Sequence, residues 1–167
     1  MSEHDFELKP ISKESIPRAL EKVEQYRLLN EPMEAESICR DILATDPGNE
    51  KALVEFILTL TDQFQDGLPA AEATATLEKL DDPYNKSYYK ALILERQGKA
   101  ALKRAYPGSG YDAFEWLEEA MHIYEDADKL SKTDNNDAVL RWNTCARIIQ
   151  QRNLGPRPKD NYVPIQE

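Results

Sequence analysis

The sequence predicts an all-α fold of antiparallel helix-turn-helix pairs, and three observations carry that expectation. Ala, Leu, Glu, Lys, Arg and Gln, all good helix formers, dominate the chain. Val is scarce and no alternating run rich in Val, Ile and Thr appears, so no strand is expected. Clusters of Pro, Gly, Asn and Asp recur at intervals that divide the chain into seven helical stretches.

The first stretch runs from about Ser15 to Leu29, with Ser15 placed to cap it and Pro17 inside the first turn. Asn30-Glu31-Pro32 turns the chain, and Pro32 opens the second stretch, which Asp46-Pro47-Gly48-Asn49 stops. The third spans about Glu50 to Phe64, and Asp66-Gly67-Leu68-Pro69 turns into a fourth from about Pro69 to Leu80. Asp81-Asp82-Pro83 leads to a long fifth, about Tyr84 to Tyr106, which Pro107-Gly108-Ser109-Gly110 must break. The sixth spans about Tyr111 to Leu130 and the seventh about Asp137 to Asn153, with polar Thr133-Asp134-Asn135-Asn136 between them. The implied organisation is a flexible N-terminal segment over 1–14, a helical repeat domain over 15–153, and an extended Pro-containing tail over 154–167. In that tail Tyr162, Val163 and Ile165 are apolar, and a docked tail would put them against helix surface.

Composition narrows the function. The chain has 167 residues, 41% hydrophobic and 31% charged, enough apolar material for one compact core. No segment approaches the ~20 apolar residues of a membrane span, and the N-terminus is charged where a signal peptide would be apolar. A cytoplasmic protein with no membrane partner is therefore expected. The net charge of −10 is concentrated in residues 31–82, which hold 13 acidic and 3 basic side chains. An acidic chain repels phosphates, so nucleic acid is not an expected partner. The simplest reading of the acidic stretch is a solvated face. Cys39 and Cys145 sit at helical apolar positions and read as buried reduced thiols. His4 and His122 stand alone, and no HxxxH, CxxC or HExxH spacing occurs, so neither a metal nor a cofactor is expected.

The helix pairs carry a pattern. Ala35, Cys39 and Ile42 give a small, bulky, apolar series at spacings of four and three, closed by Asp46-Pro47-Gly48-Asn49. Ala73, Leu77 and Leu80 follow the irregular first helix marked by Leu53, Phe56, Ile57 and Leu60. Ala120, Tyr124 and Ala127 repeat the series, and Trp142, Cys145, Ala146 and Ile149 suit a lone terminal helix. Pro47 and Pro83, each after an acidic residue, lie 36 apart. Together these features resemble the tetratricopeptide repeat family, in a divergent form of about three and a half repeats covering about 135 residues. Lys22 departs from the pattern where an apolar residue is usual. The helix 84–106 fits in two registers, through Tyr88, Ala91 and Leu92 or through Tyr89 and Ile93. Twenty-two residues separate Gly98 from Ala120, so both helices of that pair extend into a projecting hairpin.

The resemblance implies a short right-handed α-solenoid acting as a protein-interaction module or scaffold. Its groove, lined by first helices, would offer Leu20, Glu24, Arg27, Val54, Leu58, Tyr89, Ile93, Arg96, Asn143 and Arg147 to a peptide or helix of a partner protein. Homo-oligomers are compatible with such a fold. In family members that clamp a chaperone terminus, Lys and Asn hold a carboxylate, and Leu20, Glu24 and Glu55 at the matching places disfavour that mode. The alternative is a helical sensor holding a small ligand or signal peptide in an interhelical pocket. An enzyme is not expected. Glu118-Glu119 are adjacent on a helix and point apart, Asp81-Asp82 are more simply a helix end before Pro83, and Gly108-Ser109-Gly110 lacks the Lys and spacing of a phosphate loop. The basic residues Lys86, Lys90, Arg96, Lys99, Lys103 and Arg104, followed by Asp112, Glu115, Glu118 and Glu119, complement the helix dipoles and could pair across the hairpin. Ala120 marks a tight helix crossing, and Ala101 would tolerate a larger side chain if its face is solvated.

Overall fold

The computed structural model describes residues 5–159. Seven α-helices and no strand occur among them: α1 (Ile16–Leu28), α2 (Pro32–Thr45), α3 (Glu50–Thr61), α4 (Ala71–Leu77), α5 (Pro83–Arg104), α6 (Ser109–Leu130) and α7 (Asp137–Gln151). Sequence neighbours pack on one another along the chain, with the two 22-residue helices α5 and α6 forming the largest pair. At ~1.5 Å per residue each is about 33 Å long, which gives the long hairpin expected from the spacing of Gly98 and Ala120.

The ends of the helices follow local chemistry. Pro occupies the first turn of α1, α2 and α5, where its missing N–H has no helical partner. Asn49 and Asp82 accept hydrogen bonds from Ala52 N and Tyr84 N, both at 2.9 Å, and so cap α3 and α5. Ser15 does not cap α1, because its hydroxyl donates backwards to the Ser12 carbonyl at 2.7 Å in a short 3-10 turn. Between α5 and α6, Gly108 adopts φ +82°, and Gly110 is already helical.

Two helices differ from expectation in their bounds. The third helix ends at Thr61, because the chain tightens into a 3-10 turn over Phe64–Asp66 that drives Phe64 into the core, and Gly67 at φ +95° then reverses it. The fourth helix is shorter than expected at both ends. Over residues 78–80 the backbone shifts to i→i−3 hydrogen bonds as it approaches Pro83.

Two apolar clusters share α5. The first joins α1–α4 to Ile93 and Ala100 of α5, around Val23, Ala35, Cys39, Ile42, Leu53 and Ile57. The second joins Ala91 of α5 to Leu117, Ala120, Tyr124 and Ala127 of α6 and to Ala138 and Cys145 of α7. The small residues allow close approach: a Cβ on Gly98 would lie 3.0 Å from Leu117 Cγ and 3.3 Å from the Ala113 carbonyl. Ala101 is buried, so the condition under which it would tolerate a larger side chain is not met. The segment before α1 is tethered, with Ile11 against the first cluster and its carbonyl accepting from Thr45 Oγ1 at 3.1 Å. After α7, Leu154 packs on the second cluster. Tyr162, Val163 and Ile165, proposed above to meet helix surface, lie outside the described residues.

Candidate functional site

Helices α1, α3 and α5 bound an open cleft of about 570 Å³. Glu24, Arg27 and Leu28 reach it from α1, Thr61 and Asp62 from the end of α3, and Arg96 and Lys99 from α5. Asp62 is its electrostatic centre. Arg27 Nε donates to Asp62 Oδ2 at 2.8 Å, and Arg96 Nη1 donates to Asp62 Oδ1. Arg27 also donates to Glu55 Oε2 at 3.3 Å. Burial pushes the Glu55 carboxyl above its ordinary pKa, and Arg27 opposes that shift. Around the nearby α1–α2 turn Leu28, 88% exposed, and Met33, 71% exposed, form an apolar lip.

Of the groove residues read from the sequence, the structure brings Glu24, Arg27 and Arg96 together in this cleft. Leu20 and Ile93, 7% and 2% exposed, belong to the core instead and offer no surface to a partner. Each lies on the inward stripe of its helix. Val54, Leu58 and Tyr89 are partly buried, with Val54 and Tyr89 packed against the first cluster. Asn143 is partly buried and Arg147 exposed on α7, and neither lines this cleft. Sequence reasoning missed Asp62 and passed over Leu28 as a lip, since nothing local marks an exposed Leu as functional. It noted Lys99 only as part of a basic run. The cations of that run do not pair across the hairpin as expected: among the described residues Arg96 meets Asp62 and Lys99 meets Glu95, while Asp112 and Glu115 meet Arg157 from beyond α7.

Next to the cleft lies a buried ionic network that the sequence did not reveal. Glu95 has no exposed surface. Its Oε1 accepts from Tyr124 OH at 3.1 Å, from Arg141 Nε at 3.0 Å and from Cys145 Sγ at 3.6 Å. Its Oε2 faces Arg141 Nη2 and Lys99 Nζ, the latter at 2.9 Å. Burial alone would raise the Glu95 pKa, but Arg141 and Lys99 outweigh it and hold the carboxyl below its ordinary value. The same burial, reinforced by Glu95, pushes the Cys145 thiol up to about 12 and raises the Tyr124 phenol. A fully bonded carboxylate between two cations has no free lone pair aimed at a substrate, so the arrangement is suited to holding helices in register.

Among the described residues no group of three or more His, Cys, Asp or Glu side chains is placed to hold a metal ion, and no helix is long and apolar enough to cross a membrane. Comparison of the chain with protein-family models, curated proteins and solved structures finds no match.

Proposed function

We propose that this chain is a non-catalytic protein-interaction module of the tetratricopeptide-like kind, working in the cytoplasm, and that it holds a peptide or helix of a partner protein at the cleft between α1, α3 and α5. One observation carries the reading: three helices that each begin a pair deliver side chains to one open cleft, and an exposed apolar lip stands beside it. Arg and Met are enriched at protein interfaces, and Arg27 and Arg96 stand in this cleft with Met33 at the turn beside it. Exposed Leu28, Leu29 and Met33 at a single turn form an apolar group of the kind that marks interaction surfaces. The open, charged character of the cleft favours a protein partner over the small-ligand sensor, which calls for a more enclosed and apolar pocket.

Leu28→Asp tests the reading, because Leu28 is exposed and its loss should leave the fold intact. The wild-type chain should capture a partner from its source cells, and that partner, once identified, should bind Leu28→Asp at least tenfold more weakly by calorimetry, as the loss of one anchor of ~1.4 kcal/mol or more requires. Equal affinity for both proteins would rule out this cleft.

A further inference from the structure

The chain beyond α7 is strapped to the start of α6. Leu154 lies against Gly110, with its Cδ2 3.7 Å from the place a Cβ would take there. Three residues later Arg157 stacks over the Tyr111 ring at 5.6 Å. Its guanidinium also donates to Asp112 Oδ1 and, at 3.3 Å, to Glu115 Oε1. At ~100° per residue these contacts run in order around the α6 cylinder, from Gly110 through Tyr111 and Glu115 to Asp112. Trp116 comes next around that circumference.

Trp116 is on the wall of a second cleft, of about 290 Å³, shared with Leu68 and Pro69 of the loop before α4, Ala101 and Arg104 of α5, and Tyr106. The strap and this cleft share a side chain, since Asp112 binds Arg157 on one oxygen and accepts from Tyr106 OH at 2.6 Å on the other. A cleft of about 290 Å³ has room for a few side chains of an extended segment rather than for a whole helix of ~10 Å diameter. The residues that continue from the strap are Asp160-Asn161-Tyr162-Val163-Pro164-Ile165-Gln166-Glu167. Pro164 disfavours a helix there, and Tyr162, Val163 and Ile165 are apolar. Trp116 is one helical turn, ~6 Å, from Asp112. Tyr162 is five residues from Arg157, a reach of up to ~17 Å.

We propose that this second cleft is an intramolecular docking site for the chain's own 160–167 segment, seated by the Arg157 strap, with Tyr162, Val163 and Ile165 against Trp116, Tyr106 and Leu68. The sequence suits an extended occupant, since Pro156, Pro158 and Pro164 disfavour a helix.

The test follows Trp116 fluorescence in a Trp142→Phe background, where Trp116 is the remaining indole. Ending the chain after Lys159 leaves every described residue in place, and equal far-ultraviolet circular dichroism will confirm the fold. The truncated chain should show Trp116 emission shifted to longer wavelength. It should also bind a synthetic peptide of residues 154–167 in trans at least tenfold more tightly than the full chain does. Tyr162→Ser with Ile165→Ser in the full chain should reproduce the emission shift, and Arg157→Glu should produce part of it. Unchanged emission and no peptide binding would overturn the proposal. Dimerisation of the full chain that truncation abolishes would overturn it too, by placing the segment on a second copy.

Discussion

Arg141 on α7 closes on the carboxylate of Glu95, 46 residues earlier on α5, although α7 packs chiefly along α6. The contact fixes how α7 lies over the second cluster, because it permits one rotation and one height of α7 against α5. Removing one member of a buried pair leaves the other charge stranded, typically at a cost of about 3–5 kcal/mol. Arg141 keeps partial exposure and Lys99 remains beside Glu95, so Arg141→Ala should cost about 2–3 kcal/mol. Glu95→Leu with Arg141→Met should cost less than Arg141→Ala alone. Urea midpoints for the two proteins check this, and a double variant weaker than the single would show that the pair itself is net stabilising.

The network also sets an acid limit. Glu95 carries a pKa below its ordinary value, so its charged form is favoured in the folded chain. That stabilisation is complete above the ordinary carboxyl value, about 4.5, and is lost as pH falls through the lower folded value. The stability gap between wild type and Glu95→Gln should therefore be constant from pH 7 to about pH 5 and shrink below about pH 4.5. Denaturation midpoints at several pH values will show it. A gap that does not change with pH would remove Glu95 from the acid response.

Burial governs the thiols. It pushes both Cys39 and Cys145 up to about 12, with carboxylates nearby adding to the effect. The thiolate is the reactive form, so at pH 8 neither should react with Ellman's reagent in the native chain. Both should react once the chain is unfolded in guanidinium. A native thiol that reacts within minutes would show that one of these helices opens readily.

Close helix approach makes the α5–α6 pair intolerant of added volume. Ala120 is fully buried, and Ala120→Leu should cost about 1–3 kcal/mol. At Gly98, Ala gains about 1 kcal/mol of helix propensity. The new methyl, however, meets Leu117 and the Ala113 carbonyl, and fully buried Leu117 has little room to move. Gly98→Ala should therefore be net destabilising, by about 1 kcal/mol. Because Ala101 is buried, Ala101→Leu should also destabilise. Ala44→Leu, on an exposed face, should stay within about 0.5 kcal/mol. Equal effects at Ala120 and Ala44 would mean that the crossing at Ala120 is loose.

The two registers open for α5 both point into the core. Ala91 faces the second cluster and Ile93 the first, so both readings name buried residues. A helix packed on two sides has no single apolar stripe, and periodicity analysis is built to find one stripe. Cys39, Cys145, Ala35, Ala120 and Tyr124 were legible as core because each lies on such a stripe. Leu20 and Ile93 were read as surface because helix position alone does not separate the edge of a stripe from its centre.

The sequence by itself determined that the chain is helical, that seven helices lie among the described residues, and nearly where each begins and ends. Those features depend on helix propensity, on Pro and Gly, and on capping side chains within a few residues, all of which are local. Only the tertiary structure decided which charges meet. Arg27 and Asp62 lie 35 residues apart and Arg141 and Glu95 46 apart, on helices that each look complete without the other. Whether two long side chains on separate helices reach one another depends on how far the helices cross, slide and turn against each other. Those are properties of packed pairs, and the period of one helix does not contain them.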